Sequence, residues 1–282
     1  MAATAVIEPG ISPLGRLLAA PRYEVIPVRG IEEKVAALAP GSTVTVTASP
    51  AHGIGRTVAV SERLAAAGYD VVPHLSARMI TDRAELGHAV ERLAAAGVSE
   101  VFVVGGDASP PAGDFFDAAG LLEALAALPH PFSRVGVGGY PEGHPLISSD
   151  ELREALLRKQ EHADYVATQI CFDASLLEQW ITDMRAAGVR LPVVVGLPGV
   201  VDRRKLAEVS LQTGVGASVK YLLKHGRQVA ALMRSRRFDP GPLALAVAAR
   251  LDRPGLDIGG VHLFTFNQVE ATQAWVGGMA SS

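Results

Sequence analysis

The stretch YVATQICFDASLLEQWITDMRAAGVRLPVVV, residues 165–195, reads as one strand, one helix and a second strand. Tyr165–Gln169 is a short run, mostly apolar on both faces. Asp173 stands where a helix N-cap is expected, and Leu177, Trp180, Ile181 and Met184 then follow at helical spacing and form one apolar stripe. Gly188 ends the helix, and Leu191–Val195 is again apolar throughout. A strand with two apolar faces belongs in a parallel sheet, covered by helices on one side and by packed interior on the other.

The same unit recurs along the chain. Strands are predicted at Tyr23–Pro27, Ser42–Thr47, Asp70–His74, Glu100–Val104, Arg134–Gly138, Tyr165–Gln169, Leu191–Val195 and Gly260–Phe264. Helices are predicted at Ile31–Leu38, Arg56–Ala67, Asp82–Ala96, Phe116–Leu128, Asp150–His162, Ala174–Ala187, Asp202–Gln212 and Asn267–Val276. Right-handed crossovers place such helices outside the strands, so eight units in order predict a closed (β/α)8 TIM barrel over 21–282. An open doubly wound sheet also alternates, but no G-x-G-x-x-G follows the first strand. Ser218–Leu251, interrupted by Pro240 and Pro242, is read as extra helices inserted before the last strand. Residues 1–20, broken by Glu8, Pro9, Gly10 and Pro13, are read as a flexible or docking N-terminal extension, not a signal peptide.

Composition narrows the function. The 282 residues are close to the roughly 250 of one such barrel. Apolar residues make up 49% but aromatics only 5%, so Ala, Val and Leu must build the core. A net charge of −3 argues against binding nucleic acid through its phosphates. The single cysteine, Cys171, allows no internal disulfide and no cysteine-built zinc site, which fits a reducing cytoplasm. No apolar run reaches the ~18 residues of a membrane span.

In a barrel of this kind, chemistry sits at the carboxyl ends of the strands. Those positions hold Glu24, Thr47, His74, Asp107, Tyr140 with Glu142 and His144, Gln169 and Asn267. Polar groups ending apolar runs are poor core filling, because burying an unpaired carboxylate costs several kcal/mol. Each also has a plainer reading. Glu24 could pair with Arg29 or Arg56, Asp107 could cap its own loop, and His74 could be a satisfied core histidine.

Five segments together resemble the methylenetetrahydrofolate reductase family, in its order and at about its spacing. They are Gly105-Gly106-Asp107 with Pro110-Pro111, Tyr-Pro-Glu-Gly-His-Pro (140–145), Thr-Gln-Ile-Cys-Phe-Asp (168–173), Leu-Pro-Gly-Val (197–200) and His-Leu-Phe-Thr-Phe-Asn (262–267). Tyr23–Pro27 and Pro73-His74-Leu75 are weaker matches, and the likeness runs from near residue 24 to 272. The resemblance implies reduction of 5,10-methylenetetrahydrofolate to 5-methyltetrahydrofolate by hydride from a flavin, FAD, recharged by NADH or NADPH. Ring opening needs a proton on the departing nitrogen, which a protonated carboxylic acid delivers. By resemblance that acid is Glu24. Asp107 is then the negative charge beside the iminium cation that accepts hydride.

The resemblance also gives Gln169 to the pterin edge, which a carboxamide can match with two hydrogen bonds. It gives Thr47, His74, Tyr140 and His144 to the flavin and its diphosphate. Gly105 and Gly106 would let the backbone approach that cofactor, and Arg158 or Lys159 would face phosphate. Lys224 and Gln268 stand where folate contacts are expected.

The chain also departs from the family. Gly105 replaces a usual arginine, Gln268 stands where an arginine closes an Asn-Arg pair, and the usual Trp and Gln/Phe folate contacts before residue 230 are missing. Lys220, Tyr221, Lys224, His225 and Arg227 occupy that region instead. These changes motivate three alternatives: a flavin-free folate-binding protein or partner subunit, a flavin-free reductase taking hydride directly from a nicotinamide, and a metal-dependent hydrolase using Glu24, His74, Asp107 and His144. A homo-oligomer, or a redox or methyltransferase partner, is compatible with the sequence. So is either direction, methionine supply or methyl-group disposal.

Overall fold

The computed structural model describes residues 11–50, 53–202 and 237–280. Eight parallel strands close into a barrel: β1 (Arg22–Val25), β2 (Thr43–Val46), β3 (Asp70–Ser76), β4 (Glu100–Val104), β5 (Arg134–Gly139), β6 (Tyr165–Thr168), β7 (Val193–Pro198) and β10 (Ile258–Phe264). Each pairs with the next, and β10 completes the ring by lying between β7 and β1. The expected (β/α)8 architecture is therefore present. Two short strands, β8 (Val201–Asp202) and β9 (Arg237–Phe238), pair antiparallel outside the barrel. Asp202 was expected to open a helix. It instead pairs with Arg237 in that ribbon, while 203–212 and the Ser218–Arg236 part of the predicted insertion lie outside the described residues.

Among the described residues the α-helices are α1 (Pro13–Leu17), α2 (Ile31–Val35), α3 (Gly53–Ala66), α4 (Arg83–Ala95), α5 (Ala118–Ala126), α6 (Ser149–Lys159), α7 (Ala174–Ala186), α8 (Gly241–Leu251) and α9 (Val269–Ala280). Their starts are written in side chains. Asp82, Asp117 and Asp173 each accept a backbone N–H of the first turn. Ser148 and Glu151 form a capping box ahead of α6. Pro240 and Pro242 begin α8 instead of breaking it, because a first-turn N–H has no intrahelical partner to lose. Helix α8 packs on α7 and α1, so it takes a place in the outer ring. The described part of the N-terminal extension is docked: Leu14, Leu17 and Leu18 are buried, and Arg16 Nε donates to Asp252 Oδ1 at 3.2 Å.

Strand alternation separates two cores. Outward side chains such as Val25, Val44, Val103 and Val195 pack with the helices, while Val72, Phe102, Tyr165, Ala167 and Val194 fill the barrel interior. The amino end of the lumen is closed by charge. Arg22 on β1 reaches across to Glu100 on β4 through a two-pronged pair, and its Nη1 also donates to Tyr165 Oη at 3.2 Å. Arg134 adds a second cation 3.5 Å from Glu100. Above this layer Gly136 makes room for the rings, since a Cβ there would sit 2.2 Å from Tyr165 and 2.6 Å from Phe102.

Candidate active site

Glu24 lies near the carboxyl end of β1, directed into the barrel, with a side chain 15% exposed. Neither Arg29 nor Arg56 pairs with it; Arg56 Nε donates to the Pro27 carbonyl instead. The partner is His262 on neighbouring β10, whose Nε2 lies 3.0 Å from Glu24 Oε2. Two polar residues that follow β10 fix this end of β1. Thr265 Oγ1 donates to the Glu24 carbonyl at 2.5 Å. Asn267 accepts from Ile26 N at 2.7 Å and donates to Ile26 O at 3.1 Å. The turn that brings Asn267 there is strained, with φ of 49° at Phe266 and 63° at Asn267, a region that side-chain-bearing residues rarely occupy.

His74, on β3, is buried inside the lumen, its ring centroid 4.8 Å from that of Phe102 and 6.3 Å from that of His262. Burial pushes its pKa down to about 4, against the opposing pull of the Glu24 charge, so it is neutral near pH 7. Its Nε2 and the nearby Thr45 Oγ1 are buried without a hydrogen-bond partner. The plain reading of His74 as a satisfied core histidine therefore fails on its second half. A buried polar atom without a partner costs free energy and marks a place where a ligand or water would be stabilised.

On the opposite side, the loop after β4 carries Gly105, Gly106 and the exposed Asp107. Gly106 has φ +86°, and a Cβ there would lie 1.9 Å from Ser76 Oγ at the end of β3. Arg78 anchors the same loop: its N–H donates to the Gly105 carbonyl at 2.9 Å and its Nε to the Ala108 carbonyl at 2.7 Å. Gly106→Ala is therefore expected to displace the Asp107 loop and cost about 1–3 kcal/mol in a denaturant titration. An unchanged unfolding midpoint would show that Ser76 yields freely.

Tyr140 follows β5. Burial, reinforced by the charge of Asp107, raises the pKa of its phenol and keeps it protonated. Its ring meets His144 edge-on with centroids 5.5 Å apart, and His144 Nδ1 accepts from Leu146 N at 3.2 Å. Thr47, half-buried just beyond β2, donates its backbone N–H to Val25. Gln169 directly follows β6; its backbone N–H donates to Gly139 at 2.8 Å, and its side-chain oxygen accepts from Ile170 N at 2.9 Å. Ile170, Phe172, Val201, Phe238 and Phe266 form an apolar cluster from the segments beyond β6, β7 and β10. Glu142 accepts from Phe172 N at 3.2 Å, tying the loop after β5 to the one after β6.

Other expected residues are placed differently. Helix α6 begins beside the mouth and runs back toward the amino end of the barrel, so Arg158 and Lys159 start at its far end. Lys159 Nζ turns inward and donates to the Gly138 carbonyl at 2.8 Å. Burial pushes its pKa down to about 8. Gln268 is half-buried ahead of α9, donating its backbone N–H to Thr265 and accepting from Thr272. Lys224 lies outside the described residues, as do its basic neighbours up to Arg236. Among the described residues no three His, Cys, Asp or Glu side chains are grouped as ligands for an ion, so Glu24, His74, Asp107 and His144 do not converge on one point. Beyond Tyr140 a groove of about 520 Å³ runs between α6 and α7, walled by Pro141, Leu152, Trp180 and Met184. It lies outside the barrel and includes none of Glu24, Asp107 or Gln169.

Residues 31–277 match the methylenetetrahydrofolate reductase family, a span that begins seven positions after Glu24. The chain is 32% identical over 133 residues to methylenetetrahydrofolate reductase (NADH) 1 of Arabidopsis thaliana, covering 40% of this chain and 22% of that one. It is 24% identical over 150 residues to the probable methylenetetrahydrofolate reductase (NADPH) of Caenorhabditis elegans, covering 51% and 22%. Each match thus spans about a fifth of the relative's length. Among solved structures, oxaloacetate acetylhydrolase superposes with a TM-score of 0.52 at 11% identity, over 93% of this chain and 82% of that one. At that identity the likeness concerns the barrel alone. No helix of the described residues is long and apolar enough to cross a membrane. With the family match spanning most of the barrel, the chain belongs to the methylenetetrahydrofolate reductase family.

Proposed function

We propose that this chain is a cytoplasmic oxidoreductase interconverting 5,10-methylenetetrahydrofolate and 5-methyltetrahydrofolate, with the folate at the carboxyl end of the barrel. The observation that carries the reading is Glu24: a carboxyl group inside the rim, hydrogen-bonded through one oxygen to His262 and partly open to the mouth. Glu24 delivers a proton to the departing ring nitrogen as its C–N bond breaks. The electron pair of that bond stays on the nitrogen, leaving the one-carbon unit as an iminium cation. Asp107 at the facing loop stabilises that cation. Gln169 exchanges its local bond to Ile170 for the donor and acceptor edge of the pterin.

The residues fit a flavin ring. Gly105 and Gly106 carry no side chain in the loop after β4, Tyr140 offers a phenol donor beside His144 in the loop after β5, and Thr47 stands just beyond β2. Bound there, FAD would supply hydride and be recharged by NADH or NADPH. Two observations favour a second reading, in which a nicotinamide donates hydride directly. Gly105 carries no charge where the family commonly has arginine, and the Lys159 amine is spent on Gly138 inside the fold.

The absorption spectrum of the purified protein, before and after adding FAD, separates the two. Flavin bands that bleach on addition of NADH or NADPH and return with methylenetetrahydrofolate are expected for the first. Nicotinamide-dependent folate turnover by colourless protein selects the second. Colourless protein that binds tetrahydrofolate without turnover would overturn both in favour of a folate-binding subunit.

A further inference from the structure

His262 orients the side chain of Glu24, and the backbone of Glu24 is held separately. The ladder between β1 and β10 ends at the pair Glu24–Phe264, while Thr47 beyond β2 still donates its backbone N–H to Val25. Side chains complete the edge that β10 leaves. Thr265 Oγ1 donates to the Glu24 carbonyl at 2.5 Å and accepts from Asn267 N at 3.1 Å. The Asn267 carboxamide then meets both backbone groups of Ile26, accepting from its N–H at 2.7 Å and donating to its carbonyl at 3.1 Å. Glu24 is thus gripped at its own carbonyl and again two residues on. Bringing the carboxamide there requires left-handed backbone at two consecutive residues that carry side chains, Phe266 and Asn267. Glycine would adopt those angles freely, and asparagine tolerates them better than most residues. The turn is held against that strain from both sides. Phe266 is buried with Ile170, Phe172, Val201 and Phe238, and the Gly199 N–H donates to the Phe264 carbonyl at 3.0 Å. Strain sustained by its surroundings beside a reactive group points to a functional constraint.

We propose that Asn267 and Thr265 are positioning residues for Glu24, fixing the backbone at Glu24 and Ile26 so that the carboxyl group meets the departing ring nitrogen. The inference rests on the reading of Glu24 as proton donor. It adds no proton and no step to the reaction. What the two side chains supply is placement, and a reacting group displaced by about 1 Å loses up to about a hundredfold in rate.

The test is a set of substitutions made in the wild type and again in Glu24→Gln, read by single turnovers of folate reduction, which expose the chemical step. Asn267→Gly removes the carboxamide but keeps the left-handed backbone without strain. Ile26 is half-buried, so water can take up the groups that are released and the barrel should fold. Thr265→Val removes the hydroxyl. In the wild type, Asn267→Gly and Thr265→Val should each lower the rate at least about tenfold, with folate affinity within about twofold. Thr265→Ser, which retains the hydroxyl, should recover most of the Thr265→Val loss. In Glu24→Gln the same changes should alter the rate by less than about twofold, because no proton donor is left to place. A general disturbance of the mouth would slow both backgrounds alike, so equal factors in the two would overturn the proposal. A wild-type rate in Asn267→Gly would overturn it as well. Should Asn267→Gly not fold, Asn267→Asp takes its place, keeping the acceptor for Ile26 N and losing the donor to the Ile26 carbonyl. Normal folate turnover in Glu24→Gln would remove the underlying reading. Loss of turnover there, with equal factors in the two backgrounds, would remove this inference alone.

Discussion

Glu100→Ala is expected to destabilise the fold by about 3–5 kcal/mol, the cost of leaving a buried charge without its partner. Glu100 is 5% exposed, Arg22 8%, and the two meet by both prongs inside the lumen. With the carboxylate gone, the Arg22 guanidinium keeps only the Tyr165 hydroxyl and the face of the Tyr165 ring, 4.7 Å from its centroid. Neither neutralises a full charge. The double variant Arg22→Met/Glu100→Leu removes both charges and fills similar volume, so it should recover most of the loss. Urea unfolding followed by circular dichroism measures both. A Glu100→Ala midpoint close to wild type would mean that water already satisfies Arg22. Because this layer closes the amino end of the barrel, activity per folded molecule should be unchanged in the double variant.

Much of the barrel is legible in the residues. Two-sided apolar strands separated by capped amphipathic helices leave few arrangements, and Asp82, Asp173, Gly97 and Gly188 set helix limits to within a residue or two. The prolines at 240 and 242 were misleading, because proline punctuates a helix at its first turn as readily as it ends one. Asp202 misled for a similar reason: an acidic residue before a polar stretch looks like a cap, while its pairing with Arg237 is 35 positions away in sequence. Such non-local pairing leaves no local pattern.

The site was legible by position and less so by contact. Glu24, Asp107, Tyr140 and Gln169 end strands or begin the loops after them, as their places after apolar runs indicated. The sequence could not show that Lys159 folds its amine inward, since that depends on the open Gly138 carbonyl beneath it. His262 was missed although it carries a readable signal. In Val261-His262-Leu263-Phe264 the alternation places one ionisable ring on the inward face of an otherwise apolar strand, and β1 is its neighbour in the ring.

Glu24→Gln is expected to lower folate turnover by about 10²–10⁴-fold, the usual contribution of a positioned general acid. The substitution keeps the shape of the side chain and can still hydrogen-bond His262, so the barrel should remain as stable as wild type within about 0.5 kcal/mol. An amide cannot give up a proton to the departing nitrogen, so the C–N bond has no acid to assist its cleavage. Substrate binding should persist, because Gln169 and the Asp107 loop are on other strands and are untouched. The loss therefore belongs in kcat and not in KM.

The most direct measurement is a single turnover of enzyme-bound methylenetetrahydrofolate with the reduced hydride donor, comparing wild type and Glu24→Gln at saturating folate. Formation of 5-methyltetrahydrofolate slowed at least about a hundredfold in the variant, with folate affinity retained, is the predicted result. Product formed at the wild-type rate would place the proton donor elsewhere and contradict the account.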